Sequence, residues 1–151
     1  MHCIIYKTRP RCCERPFAFC DTEDGSWSNV CPQDCPDWLF YDYFPESLVI
    51  DLEDFWPPES ITAELNKAGF VAVAVEREHL RFEQDLRAWF DEVRRRATCS
   101  QLLAISDPAY EAGLRRLTEE LAAERGPLLR KNHICLVTIR GGKPLSGERV
   151  I

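Results

Sequence analysis

The cysteines are the most prominent group with potential chemistry, because six of the eight lie before residue 36: Cys3, Cys12, Cys13, Cys20, Cys31 and Cys35. Three residues separate Cys31 from Cys35, a spacing found in zinc knuckles, and Cys12 and Cys20 would supply two further thiolates. Four thiolates around one Zn²⁺ would stabilise a segment too short to fold alone. No paired C-x-x-C motif is present, so unpaired thiols are the favoured interpretation and a zinc site is the alternative.

Histidines and carboxylates are the other groups suited to acid–base chemistry. His79 is expected on a connection between a strand and a helix, where a polar surface role is favoured over a functional one. His133 is expected simply to open the last strand. Five carboxylates fall in a stretch rich in aromatic residues, where burial together would suit them to proton transfer; a solvated acidic loop is the favoured interpretation. They are Asp42, Glu46, Asp51, Glu53 and Asp54.

Composition excludes several classes of function. The chain has 151 residues, 45% of them hydrophobic, and a net charge of −6. An acidic surface without a stripe of lysine and arginine disfavours nucleic-acid binding. No apolar stretch is long enough to cross a bilayer, and no apolar signal region lies between Met1 and Arg15. A cytoplasmic protein without a membrane partner is expected.

The pattern of apolar residues predicts few elements before residue 58. Residues 9–38 have no period of 2 or 3.6, so no helix or strand is predicted there. Residues 41–47 are predicted to form an aromatic loop, and residues 48–52 a short strand or a continuation of that loop.

From residue 58 onwards, alternating helices and strands are predicted. A helix ends at Gly69, and a buried strand occupies residues 70–75. Helical stripes follow at Leu86, Trp89, Phe90, Val93 and Ala97, and at Tyr110, Leu114, Leu117 and Leu121. Residues 134–139 form the second buried strand. The sequence contains no G-x-G-x-x-G turn, G-x-S-x-G, H-E-x-x-H or P-loop motif.

Several segments, in order, carry a resemblance to a known family. They are Tyr43-Phe44-Pro45-Glu46, the stretch from Trp56 to Ala68-Gly69-Phe70, residues 71–77, the helical segments 97–103 and 109–117, and residues 133–144. Together they resemble the C-terminal half of class I S-adenosylmethionine-dependent methyltransferases of the broad type-11 group. The first segment resembles the loop after the fifth strand of that fold, residues 71–77 the sixth strand, and residues 133–140 the seventh.

The resemblance implies an α/β fold, namely a partial doubly wound, Rossmann-like sheet with a helical insertion on the substrate side and its N-terminal half missing. The two recognisable strands are expected to be adjacent and antiparallel. The resemblance assigns five residues to the substrate side: Tyr41, Tyr43, Phe44, His79 and Phe82. It implies S-adenosyl-L-methionine as cofactor and a small-molecule methyl acceptor as partner, and it carries over no catalytic residue.

The donor half of the family is not matched. Its glycine-rich turn and its acidic ribose-binding residue have no counterpart in this sequence. At most, residues 1–7 resemble the segment after the fourth strand, which makes His2 the single residue assigned to the cofactor side. The chain alone is therefore expected not to bind S-adenosylmethionine.

The chain is accordingly divided into residues 1–40, a cysteine-rich irregular segment, and residues 41–151, the methyltransferase-like part. Shifting the reading frame of residues 24–40 by one base allows a glycine turn followed by an apolar strand, which makes a frameshift one explanation for the cysteines. Two functions are considered. One is a truncated, inactive methyltransferase; the alternative is a non-enzymatic binding or regulatory module with a cysteine-rich zinc-binding segment.

Overall fold

A computed structural model describes residues 26–35, 37–123, 128–142 and 144 of the chain. Three strands and six α-helices occur in these ranges, in the order β1 (Ser26–Val30), α1 (Leu39–Tyr43), α2 (Pro45–Asp54), α3 (Pro58–Lys67), β2 (Val71–Asp85), α4 (Leu86–Val93), α5 (Ser100–Ala104), α6 (Asp107–Ala123) and β3 (Leu129–Gly142). Short 3₁₀ helices occupy Pro32–Asp34 and Arg96–Thr98. None of the helices in the described ranges is long and apolar enough to cross a membrane.

The strands form a three-stranded antiparallel sheet in the order β1-β3-β2. The predicted antiparallel pairing of the two recognisable strands is confirmed, and it is uninterrupted from Ala74 opposite Arg140 to Asp85 opposite Leu129. The prediction that the first of these strands is buried is wrong, because most residues of β2 are exposed. Because β1 and β2 are both antiparallel to β3, they run parallel to each other. Parallel strands require a crossover connection, and the chain between them contains α1, α2 and α3.

The core forms where the helices cover β3. Ile134, Val137 and Ile139 of this strand are buried. The predicted stripe of α4 is confirmed up to Val93, because Leu86, Trp89 and Val93 are buried and Phe90 packs against the core. It is wrong for Ala97, which lies beyond the end of α4 and is exposed. Leu117 of α6 is fully buried, and the other members of its predicted stripe pack against the core: Tyr110, Leu114 and Leu121.

The predicted loop at residues 41–47 and the predicted strand or loop at residues 48–52 are wrong, since α1 and α2 occupy these positions. Pro45 takes the first position of α2, where its fixed φ favours a helix and its missing N–H has no intrahelical partner. The fully buried residues of α2 are polar, namely Ser47 and Asp51 one turn apart, whereas Val49 is 57% exposed. Leu48 and Ile50 pack against the core but are only partly buried, so the apolar run is divided between the core and the surface.

The prediction of no regular structure over residues 9–38 is wrong for β1 and for the 3₁₀ helix that follows it. β1 pairs with β3 from Ser26 opposite Arg140 to Val30 opposite Leu136. The sequence of β1 has no alternating apolar pattern. The segment forms a strand because its backbone groups are hydrogen-bonded to β3. Residues 1–25 lie outside the described ranges, and with them the predictions for His2, Cys12 and Cys20.

Candidate functional site

Three of the residues assigned to the substrate side come together in one buried aromatic cluster. Tyr41 and Tyr43 lie on α1, and Phe44 follows directly. The ring centroids of Tyr43 and Phe44 lie 5.4 and 6.3 Å from that of Trp89, and Phe44 is completely buried. These side chains form part of the core in this conformation. Aromatic pairs at such distances stabilise a fold beyond the area they bury.

The other two residues assigned to the substrate side lie on β2, on opposite faces of the strand. Phe82 is partly buried and packs against the core, whereas the side chain of His79 is exposed. The partner opposite Phe82 is Asn132, a buried amide on β3. The structure therefore separates the five residues into a buried aromatic cluster on α1 and two positions on β2 that face different ways.

A buried carboxylate connects α1, α2 and α5. Asp51 is 4% exposed, and its Oδ2 accepts a hydrogen bond of 2.8 Å from the hydroxyl of Tyr41. The side-chain amide of Gln101 donates to the same oxygen. Burial raises the pKa of Asp51 from 3.8 to about 6, even though both hydrogen bonds lower it. The carboxyl group of Asp51 therefore keeps its proton to a higher pH than an exposed aspartate does.

The favoured interpretation of a solvated acidic loop is wrong for Asp51. Three of the other four carboxylates of that group are exposed and Glu46 is partly exposed, so no second carboxylate of the group is buried beside Asp51. The signal that could have identified Asp51 is its position four residues after Ser47, since residues at this spacing share one face of a helix. Its contacts give it the role of joining three helices.

A second polar cluster surrounds Tyr43. Its hydroxyl donates a hydrogen bond of 2.5 Å to Glu120 of α6, and the guanidinium carbon of Arg116 lies 4.3 Å from the centre of its ring. Burial, followed by the hydrogen bond to Glu120, raises the pKa of Tyr43 to about 12. Tyr43 therefore remains a hydrogen-bond donor at neutral pH. Beside this cluster lies a shallow depression of about 370 Å³ lined by Arg116, Glu119, Glu120 and Ala123.

The two described cysteines of the alternative zinc site are buried thiols. The thiol of Cys35 donates to the carbonyl oxygen of Cys135 at 3.3 Å and accepts the backbone N–H of the same residue. Cys31 Sγ lies 3.3 Å from Asp34 Oδ2. Burial raises the pKa of both Cys31 and Cys35 to about 12, which favours the thiol over the metal-binding thiolate. Among the described residues, no three His, Cys, Asp or Glu side chains are grouped to hold a metal ion.

A pair of histidines joins β2 to β3. His79 Nδ1 and His133 Nε2 lie 2.9 Å apart, and the ring centroids are 5.1 Å apart. The expectation that His133 opens the last strand is wrong, because β3 already begins at Leu129. The expectation that His79 lies on a connection between a strand and a helix is also wrong, because β2 continues to Asp85. The sequence does not reveal the pairing, because it depends on the register between strands whose contacting residues are 54 positions apart.

Comparison with known proteins gives no relative for this chain: no family model matches, and no curated protein or solved structure matches.

Proposed function

We propose that this chain forms the acceptor side of an S-adenosylmethionine-dependent methyltransferase domain acting on a small molecule. The arrangement of the sheet carries the proposal. The resemblance assigns β2 and β3 to the sixth and seventh strands of that fold, and these strands are adjacent and antiparallel over most of their length. Parallel strands joined through helices, as β1 and β2 are through α1, α2 and α3, also occur in doubly wound sheets.

The position of β1 supports the same assignment. β1 precedes the Tyr43–Glu46 segment, which resembles the loop after the fifth strand, and it is the strand on the other side of β3. In this proposal β1 corresponds to the fifth strand, although the sequence of this stretch does not resemble that strand. Along the chain, α4, α5 and α6 follow β2 and precede β3. The resemblance expects the helical insertion on the substrate side at this point of the sequence.

The residues of this chain do not fit the methyl donor. S-adenosylmethionine requires a close approach of backbone at a glycine turn and an acceptor for the ribose hydroxyls, and the sequence has no such turn after any strand. The proposal therefore gives this chain no catalytic step. Its part in the reaction is to enclose the methyl acceptor and to exclude water, since methyl transfer depends on proximity and desolvation.

The test is the nucleotide sequence on the 5′ side of the Met1 codon. We expect it to encode, in one of its frames, a strand followed by a glycine-rich turn. A protein extended to include that segment should bind S-adenosylmethionine in calorimetry and transfer its methyl group to a small molecule. Non-coding or unrelated sequence at that position, or an extended protein that binds no donor, would contradict the proposal.

The alternative of a zinc-binding module remains a prediction that rests on Cys12, Cys20, Cys31 and Cys35. Elemental analysis of the purified chain tests it. One equivalent of zinc that is lost on Cys31→Ser and Cys35→Ser substitution would favour the module, because removing two of four thiolates opens the coordination shell. If the purified chain contains no zinc, and if the Cys31→Ser and Cys35→Ser substitutions leave its stability unchanged, the zinc-binding module is excluded.

A further inference from the structure

The two facing nitrogens of the histidine pair on β2 and β3 are separated by a distance that a shared metal ion would also produce. Zn²⁺ binds imidazole nitrogens at about 2.0–2.1 Å, so two such nitrogens on one ion, at angles between square and tetrahedral, lie about 2.9–3.4 Å apart. His79 Nδ1 and His133 Nε2 are separated by 2.9 Å. The distance equally suits a direct hydrogen bond between the two rings. The separation of the two nitrogens is therefore compatible with an ion bound by both rings, each of which turns its lone pair towards the ion.

The sheet holds both rings in this position. His79 lies directly opposite Cys135, and His133 directly opposite Arg81, so the two histidines are diagonal neighbours on one face of the ladder. The exposure of the pair gives an ion access from solvent. Side chains on paired strands are held more firmly than side chains on loops, which favours binding by both rings at once.

We propose that His79 and His133 together bind one divalent transition-metal ion of the class that prefers imidazole, such as Zn²⁺ or Ni²⁺. Both rings bind in the neutral form, through the nitrogens that face each other, and carry their protons on the opposite nitrogens. The remaining coordination positions take water or an external ligand, because no third His, Cys, Asp or Glu among the described residues is grouped with the pair. The site is independent of the methyltransferase proposal.

Arg81 sets the strength of this site. It lies opposite His133 and on the same face as His79, so its positive charge opposes a bound cation. Replacing Arg81 by glutamate removes the repulsion and places a carboxylate ligand at the neighbouring position. Arg81→Glu is therefore expected to increase the affinity for the metal ion. If the two rings only formed a hydrogen bond with each other and bound no metal, this substitution would have no such effect.

The test is calorimetric titration of Ni²⁺ into the reduced, untagged 151-residue chain, whose third histidine serves as the control. We expect one equivalent of Ni²⁺ to bind to the wild type. His79→Ala or His133→Ala should weaken binding about 10- to 100-fold, because each variant binds the ion through one imidazole ring instead of two. His2→Ala should leave the affinity unchanged, and Arg81→Glu should increase it. Far-UV circular dichroism establishes that each variant is folded.

Three results would overturn the proposal. They are the absence of Ni²⁺ binding at micromolar concentrations, equal affinities of the wild type and both alanine variants, and loss of binding on Cys31→Ser substitution but not on His79→Gln substitution. The last result would assign the metal to the cysteines. Because His79→Gln preserves a polar side chain on the strand, it separates loss of a ligand from loss of structure.

Discussion

Asp51 ionises less readily in the folded chain than in the unfolded one. Burial raises its pKa from 3.8 to about 6, so the folded state binds the proton more tightly. The contribution of Asp51 to the free energy of unfolding therefore rises as the pH falls from above 6 towards 4, and it is lost as ionisation proceeds at higher pH.

Asp51→Asn tests this effect. Asparagine keeps an oxygen acceptor for Tyr41 and Gln101 but cannot ionise. Between about pH 4 and about pH 7, we expect the wild type to lose about 2 kcal/mol of unfolding free energy relative to the variant. Urea unfolding at both pH values measures it. Glu53→Gln, at an exposed position on the same helix, should follow the wild type. A difference between wild type and Asp51→Asn that does not depend on pH would contradict the assignment.

Gly113 is required by the close contact between α6 and the aromatic cluster. A Cβ at this position would lie 2.7 Å from the carbonyl oxygen of Tyr43 and closer still to the ring of Phe44. Gly113→Ala should lower the free energy of unfolding by about 1–3 kcal/mol through this overlap. In an unconstrained helix the same change would raise it by about 1 kcal/mol, so the sign of the change in thermal or urea unfolding decides the result.

The control for Gly113 is its exposed neighbour on the same helix. Ala112→Gly changes helix propensity at an exposed position, and it should cost about 1 kcal/mol. If Gly113→Ala stabilises the chain by the amount that Ala112→Gly destabilises it, the contact between α6 and Phe44 is absent in solution.

At the level of elements, α1 depends on β3 for its first hydrogen bond. The residue before the helix, Trp38, makes no side-chain capping bond. Instead, the buried Oδ1 of Asn132 on β3 accepts the backbone N–H of Leu39 at 3.0 Å and also that of His133. Asn132→Ala should lower the free energy of unfolding by about 1–3 kcal/mol, because it leaves buried N–H groups without an acceptor.

Hydrogen exchange of the Leu39 amide supplies the specific measurement for this contact. The amide should exchange faster in Asn132→Ala than global destabilisation explains, since the loss is local to the start of α1. Asn66→Ala, at an exposed position of α3, should change stability by less than about 0.5 kcal/mol. Unchanged protection of Leu39 in Asn132→Ala would mean that another group accepts this hydrogen bond.

The elements that could be predicted from the sequence are those whose buried face is apolar. Leu86, Trp89 and Val93 mark α4 because helix period and burial coincide. α2 could not be predicted in this way, because the residues that it buries most fully are Ser47 and Asp51. The hydrogen bonds of Asp51 come from Tyr41 of α1 and Gln101 of α5, and local periodicity contains no information about those partners.

The same limit applies to the candidate sites. The resemblance assigned Tyr41, Tyr43 and Phe44 to the substrate side, but it did not identify Asp51 as the buried hydrogen-bond partner of Tyr41. The histidine pair could not be predicted either, because it depends on the register of β2 against β3. Strand register is determined by the whole sheet rather than by either strand alone.

At the level of the whole molecule, donor binding distinguishes an acceptor-side unit from a complete enzyme. Close approach of backbone to S-adenosylmethionine requires glycine, and each ribose hydroxyl buried without a partner costs about 1–3 kcal/mol. The sequence has no glycine-rich turn of this kind. We therefore expect no measurable binding of S-adenosylmethionine to the 151-residue chain in calorimetry at submillimolar concentrations.

A matched positive control is the extended protein that includes a glycine-rich turn, which should bind the donor under the same conditions because it supplies the missing backbone contacts. A micromolar dissociation constant for the 151-residue chain itself would contradict the prediction. It would mean that this chain contains a donor site built without a glycine-rich turn, and protection of its amides in hydrogen exchange on donor binding would then locate that site.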